Sequence, residues 1–241
     1  MSNTSYINLS GQLALQRRLE TVANNVANST TPGYRSEEVR FESLLSADGQ
    51  NPVAFVSRGD TYLSRASGGL NRTGNPLDIA VEGDSWLGIQ TSGGAAYTRD
   101  GRLSLSPAGE LQSTGGNAIL DPGGAPIRID PSKGPITIGR DGRITQGDKQ
   151  VAALGLFTIP ESAKLTRGQN SSIIPDAAAA PVADFARTGI VQGFVENSNV
   201  NPIKEMTHLI AVQRSFDAVS TTISTVDAAI DAGIRDLGTL K

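Results

Sequence analysis

The residue types that carry most enzyme chemistry are thinly spread in this sequence. Its single histidine, His208, sits between Thr207 and Leu209 with no nucleophile or metal-ligand spacing beside it, so it reads as a surface or interface residue and not as a general base. Carboxylate pairs of the kind a glycoside hydrolase uses exist at Glu37-Glu38 and at Asp176 with Asp184. Such a pair must face each other across a cleft, and no aromatic sugar platform accompanies either one, so both read as solvated charge. The absence of cysteine excludes a disulfide framework, a thiolate site and a Cys-ligated metal. Gly93-Gly94, Gly115-Gly116 and Gly123-Gly124 fit neither a dinucleotide fingerprint nor a phosphate loop with its lysine, and read as turns between short strands. Asn-x-Ser/Thr at Asn28 and Asn170 is too short a motif to assign a site. No catalytic, cofactor-binding or metal-binding residue is therefore assigned, and no cofactor is expected.

Composition narrows the class further. The 241 residues can hold one large domain or two small ones. Glycine is abundant, at 27 residues, while aromatics make up 5 % and charged residues 19 %, where about 25 % charged is usual. A net charge of −3 with no Lys/Arg run leaves no electrostatic footprint for nucleic acid or an anionic membrane. The longest apolar stretch, residues 151–159, is about half the length of a membrane span, so direct membrane insertion is not expected. The first twenty residues lack a basic start, an apolar segment and a small-residue cleavage site, so no cleaved secretory signal is read there.

The two ends differ from the middle. In residues 5–28, Leu15, Leu19, Val22 and Val26 recur at spacings of 4, 3 and 4, one apolar stripe on a helix, which Thr31-Pro32-Gly33 then stops. At the other end Leu209, Val212, Phe216, Val219, Ile223, Val226 and Ile230 form an unbroken a/d heptad seam. Asn201-Pro202 supplies its start signal, a capping side chain followed by a residue pre-set for the first helical position, with Glu205 in the first turn. That helix is expected over residues 202–236.

Between the helices, Arg99-Asp100-Gly101-Arg102 and Arg140-Asp141-Gly142-Arg143 sit between short alternating runs and predict two similar β-hairpin turns. Residues 177–181 (AAAAP) read as a linker or loop, and residues 37–75 as extended segments with one hairpin. The expected class is α+β. The N- and C-terminal helices pair as a coiled-coil-like inner domain around a central β-rich domain of short hairpins. The divisions are residues 1–35 for the N-terminal helix, 36–75 for a connecting segment, 76–192 for the β-rich domain and 193–241 for the C-terminal helix. Two such stripes are too little core on their own, so the termini are expected to be mobile in a monomer and ordered by neighbouring copies.

Several polar residues lie on these helices: Asn24, Asn25 and Asn28 at the end of the first, Gln213 and Arg214 on the second. Two accounts fit equally, a frayed and solvated helix end, or hydrogen bonds across packed helices that fix register between chains.

The same residues carry a resemblance. Leu19-Glu20-Thr21-Val22-Ala23-Asn24-Asn25-Val26-Ala27-Asn28, followed by Thr31-Pro32-Gly33-Tyr34-Arg35, closely resembles the N-terminal signature of the bacterial flagellar rod and hook proteins. Gly193-Phe194-Val195-Glu196-Asn197-Ser198-Asn199-Val200-Asn201-Pro202, with Glu205-Met206 and Gln213-Arg214, resembles the far end of that family. Asn75-Pro76-Leu77-Asp78-Ile79-Ala80-Val81-Glu82-Gly83 and Tyr97-Thr98-Arg99-Asp100-Gly101 resemble its central motifs. Length, the opening Leu9-Ser10-Gly11-Gln12 with Arg17-Arg18, and Trp86 in place of a paired Phe are most similar to the proximal rod subtype, with the distal rod subtype next. Asp84-Ser85-Trp86-Leu87 departs from the usual Gly-aromatic-aromatic segment, and Ser215-Phe216 from the usual Ala or Arg and Tyr.

The resemblance implies a structural subunit of the flagellar basal-body rod. Such a subunit is exported by the flagellar type III apparatus without a cleaved signal, and it assembles helically with other rod proteins and copies of itself. It also implies that the rod crosses the periplasm, transmits torque and encloses the export channel. Subunit-interface residues are then expected at Leu15, Leu19, Val22, Asn24, Asn25, Val26 and Asn28 on the first helix. On the second they are expected at Leu209, Val212, Gln213, Arg214, Phe216, Val219 and Ile223. The competing readings are a peptidoglycan-cutting enzyme, which would need two carboxylates across a cleft, and a secreted adhesin or phage-tail-like fibre subunit.

Overall fold

A computed structural model describes residues 3–45, 54–57 and 59–238. Helix α1 spans Asn3–Ala27 and helix α2 spans Pro202–Gly238, with a β-rich body between them in sequence. Among the described residues no helix is long and apolar enough to cross a membrane. The chain forms two compact units. One contains residues 1–27, Glu37–Tyr62 and 201–241; the other contains Asn28–Ser36 and Leu63–Val200.

The first unit is built on the helix pair. The Asn201 side chain accepts hydrogen bonds from the backbone amides of Ile203 and Lys204, both at 3.1 Å, and so starts α2 where the cap signal placed it. Along α2, Leu209, Phe216, Val219 and Ile223 are half-buried and Val212 is buried. Val226 and Ile230, which continue the seam in sequence, lie outside the residues whose side chains are described. On α1, Val22 is buried and Leu15, Leu19 and Val26 are half-buried, and the two helices pack against each other. Strands Glu37–Arg40 and Ala54–Val56 also pack on α1. The hairpin expected within residues 37–75 is formed by Ser43–Leu45 and Ala54–Val56.

The second unit is organised by strand Ser85–Thr91, whose residues Ser85 to Ile89 are all buried. It pairs antiparallel with Gly94–Thr98, Ala118–Ile119 and Leu156–Thr158. Flanking pairings extend it to a nine-stranded sheet. Ile79, Leu87, Leu111, Ile119, Ile144 and Leu154 fill the main core. The three glycine pairs are turns. The hairpin from Ser85–Thr91 to Gly94–Thr98 closes over Gly93, Gly116 N donates to Ser113 O, and Gly124 N donates to Asp121 O.

The two Arg-Asp-Gly-Arg segments do not form similar turns. Around Asp141-Gly142, strands Ile136–Ile138 and Arg143–Gln146 pair with each other as expected, with Gly142 at φ +80°. Around Asp100-Gly101 they do not, and the expected hairpin is absent. Strand Gly94–Thr98 pairs with Ser85–Thr91 and Ser172–Pro175, while Leu103–Leu105 pairs with Leu111–Ser113. The chain turns a corner there because the Asp100 carboxylate accepts from the Arg102 backbone and guanidinium and Ile79 N donates to Gly101 O. Of residues 177–181, read as a linker or loop, 177–179 are irregular and the last two are not. Ala180–Pro181 forms an edge strand on Leu156–Thr158, a position a proline tolerates because it needs no ladder donor.

Leu111, with no exposed surface, is a direct test of the main core. Leu111→Ala should lower unfolding free energy by about 2 to 5 kcal/mol, read as a reduced urea midpoint at unchanged slope.

Candidate functional site

The side chains expected at subunit interfaces lie in different surroundings. Leu15, Leu19, Val22 and Val26 on α1 and Leu209, Val212, Phe216, Val219 and Ile223 on α2 form the apolar stripes of two helices that pack together within one chain. Asn25 is buried, and its amide clamps the backbone of Glu37: Nδ2 donates to Glu37 O and Oδ1 accepts from Glu37 N, both at 2.9 Å. This ties the end of α1 to the strand that follows it. Asn28 accepts from the Thr31 backbone at 3.1 Å and from its hydroxyl at 3.2 Å, closing the turn after α1. Asn24, Gln213 and Arg214 are exposed. His208 Nδ1 stands 3.7 Å from Glu205 Oε1, one turn away on α2.

A second face of α2 is built quite differently from the first. Ala211, Ser215, Ala218, Thr222, Thr225, Ala229 and Ala232 recur at spacings of 4, 3, 4, 3, 4 and 3, and every one is exposed. At about 100° per residue this stripe lies roughly 120° around the helix from the Leu209–Ile223 seam, on a separate face. Its hydroxyls are turned back on the helix: Ser215 Oγ donates to Ala211 O at 3.0 Å, and Thr222 Oγ1 and Thr225 Oγ1 donate to Ala218 O and Thr221 O at 2.9 Å. The stripe is thus small, uncharged and poor in outward donors, suited to close approach by another helix.

In the β unit, the motif segments converge on one buried cluster that sequence reasoning missed. Arg35, Arg99 and Glu196 have side chains only 2 %, 1 % and 1 % exposed. Arg35 Nη2 lies 2.9 Å from Glu196 Oε1, and Arg99 Nη1 lies 3.0 Å from Glu196 Oε2. Both guanidiniums sit over the ring of Trp86, 5.3 and 5.2 Å from its centroid, which gives the desolvated cations a second favourable contact. Backbone groups add to the shell, while the buried Nε atoms of Arg35 and Arg99 have no hydrogen-bond partner among the described residues. Arg35 donates to Ala66 O, Arg99 donates to Val81 O and Gly83 O, and Gly68 N donates to Glu196 Oε1. Burial, only partly opposed by Glu196, lowers the Arg35 pKa to about 10. That is far enough above neutrality to keep the guanidinium charged.

Around this cluster the segments are sewn together. Gly33 N donates to Glu196 O, Ser36 N to Asn199 Oδ1, Asn199 N to Tyr34 O and Asn199 Nδ2 to Ala66 O. Arg167 lies over the Tyr34 ring at 4.2 Å and donates to Arg35 O. Gly33, at φ +66°, takes a conformation and a close approach that only glycine permits, since a Cβ there would collide with the backbone of Arg99 and Asp100. Residues 33–36, 64–68 and 196–199 are the parts of this unit from which the chain runs on to the helices. The sequence did hold a signal: Arg35, Arg99 and Glu196 each lie in a segment that carried the family resemblance. Nothing local showed that the three meet.

The comparisons with known proteins agree with this geometry. The model for flagella basal body rod protein matches residues 6–35, that for the flagellar hook protein FlgE/F/G D1 domain matches 80–146, and that for the flagellar basal body rod FlgEFG protein C-terminal matches 191–236. The chain is 47 % identical over 238 residues to the flagellar basal-body rod protein FlgF of Mesorhizobium japonicum, covering 99 % of each chain. It is 44 % identical to FlgF of Rhizobium meliloti, again over 99 % of each, and 36 % identical to FlgF of Caulobacter vibrioides over the full length of both. The chain, with its terminal helices and β-rich body, belongs to the flagellar basal-body rod family. Within that family it is most like the FlgF proteins, a structural component and not an enzyme.

Asn25 separates a role inside the chain from a role between chains. Asn25→Ala should cost the isolated protein about 2 kcal/mol, since it strips both partners from a buried backbone pair. Gln213→Ala, at an exposed position, should stay within about 0.5 kcal/mol. Urea unfolding of both variants checks this.

Proposed function

We propose that this chain is a subunit of the proximal part of the flagellar rod. It assembles helically with other rod proteins and copies of itself into the drive shaft that carries torque across the periplasm and surrounds the export channel. The full-length similarity to FlgF proteins supports the proximal position over the distal one. The single observation that carries the assembly role is the second heptad stripe of α2. One seam is occupied by α1 of the same chain, while a second seam, from Ala211 to Ala232, is exposed over six helical intervals with no charged member.

A helix with an apolar seam and a small-residue seam on separate faces has a place for a second neighbour beside the first. When the contact is head-to-tail the array extends without closing. The helices of α1 and α2 then form a coiled-coil-like inner domain. Leu15, Leu19, Val22 and Val26 with Leu209, Val212, Phe216, Val219 and Ile223 hold its two helices together within a subunit. Asn24, Gln213 and Arg214, all exposed, supply polar contacts between subunits. Export by the flagellar type III apparatus without a cleaved signal belongs to the same reading.

Ala218→Glu tests this reading by placing a charge in the middle of the exposed stripe. Helix content and urea stability of the purified protein should be unchanged within about 0.5 kcal/mol, whereas basal bodies purified from cells carrying the variant should lack the protein and the cells should fail to swim. Normal swimming with the variant incorporated would overturn the role of the stripe.

A further inference from the structure

The buried charges around Trp86 impose an order on how the β unit closes. Among the described residues, Glu196 is the carboxylate ion-paired with both Arg35 and Arg99. It arrives with strand Phe194–Glu196, which pairs with Leu70–Arg72, and just after strand Gly189–Gln192, which pairs with Ile79–Glu82. Arg99 also has neutral partners of its own, Val81 O and Gly83 O, so residues 189–196 can dock with an Arg99–Glu196 pair already complete. Arg35 is in a different position. It has a neutral partner in Ala66 O, but docking it places a second guanidinium beside Arg99 over the same ring, and the carboxylate ion-paired with it is Glu196, with the Asp84 charge adding to the attraction. Of the neighbouring bonds, Gly33 N, Ser36 N and Tyr34 O use groups of Glu196 or Asn199, while Ser36 O accepts from Ser64 N and Arg35 O from Arg167 Nη2.

We propose that the Arg35–Glu196–Arg99 triad is a one-way latch: residues 28–36 dock on the β unit only after residues 189–200 are in place, whereas residues 189–200 dock without them. The physical basis is the cost of a buried charge without its counter-ion, made worse by a like charge in the same site. The segment that leads out of α1 is then fixed only in a chain whose segment leading into α2 is fixed. This does not depend on what the chain assembles with.

Native-state hydrogen exchange on the full-length protein tests the latch. In E196Q, protection of the Gly33 and Ser36 amides should fall about 100-fold or more, while strand 189–192 and the Gly139 and Leu154 amides keep theirs to within about threefold. In an R35M background, where the charge that needs the carboxylate is gone, adding E196Q should change Gly33 and Ser36 by less than about tenfold. E196D keeps the charge but draws it back, and should give the same selective pattern at about tenfold if E196Q does not fold. Equal loss of protection at all these amides, unchanged protection of Gly33 and Ser36, or the same E196Q effect with and without Arg35 would each overturn the proposal.

Discussion

A carboxylate that is 1 % exposed, held between two guanidiniums over one indole ring, is the constraint around which the β unit is arranged. Burying three charges carries a desolvation cost that Coulomb attraction alone need not recover, and apolar residues of similar volume often stabilise as well or better. What the ionic arrangement adds is geometry. Each Glu196 oxygen has its own guanidinium, Gly68 N takes a further position on Oε1, and the arginines extend to carbonyls at Ala66, Val81 and Gly83. Because each partner must be present at its own position, the cluster fixes the register of five chain segments at once. Gly68 illustrates how tightly they approach: a Cβ there would collide with the Asn197 carbonyl.

The helical unit solves a different problem by different means. A pair of helices covers only one face of each, so most of α2 is exposed in a single chain. Its two heptad stripes, roughly 120° apart, divide the work. Leu209, Val212, Phe216, Val219 and Ile223 offer bulk toward α1, while Ala211 through Ala232 offer a surface with almost no bulk. Small residues let helix backbones approach closely, and hydroxyls satisfied by their own helix carbonyls lose nothing when water is removed from that face. The low aromatic content fits this arrangement, since packing on the small stripe depends on proximity and not on large side chains.

How far the sequence could be read depended on whether the deciding interaction was local. The α2 seam and its Asn201 cap are set by residues three or four apart, and both appear where the spacing placed them. The glycine pairs were legible as turns for the same reason. The identical letters of Arg99-Asp100-Gly101-Arg102 and Arg140-Asp141-Gly142-Arg143 led astray because a hairpin needs its two flanking strands to prefer each other. Ile136–Ile138 and Arg143–Gln146 do so. Gly94–Thr98 finds partners at Ser85–Thr91 and Ser172–Pro175 instead, while Arg99 is taken by Glu196, 97 residues away. The triad was illegible outright, since no periodicity links positions 35, 99 and 196. Asn25 was singled out correctly as unusual, but its buried bonds to Glu37 are visible only once the chain has turned back on α1.

The choice of ion pairs has a mechanical consequence within the β unit. Apolar contacts are non-directional, so packed surfaces can slide with little change in energy so long as area stays buried. A buried ion pair resists the same displacement. At an effective dielectric of about 20, drawing unit charges from about 3 Å to about 5 Å apart forfeits roughly 2 kcal/mol for each pair. Residues 28–36, 63–66 and 196–200 are the segments at which the chain enters or leaves the β unit. Two of these three segments carry a member of the triad, and the third supplies Ala66 O to Arg35 and to Asn199. The steepest interactions of the unit therefore lie where the chain connects to its helices, while the sliding-tolerant apolar core lies further into the sheet.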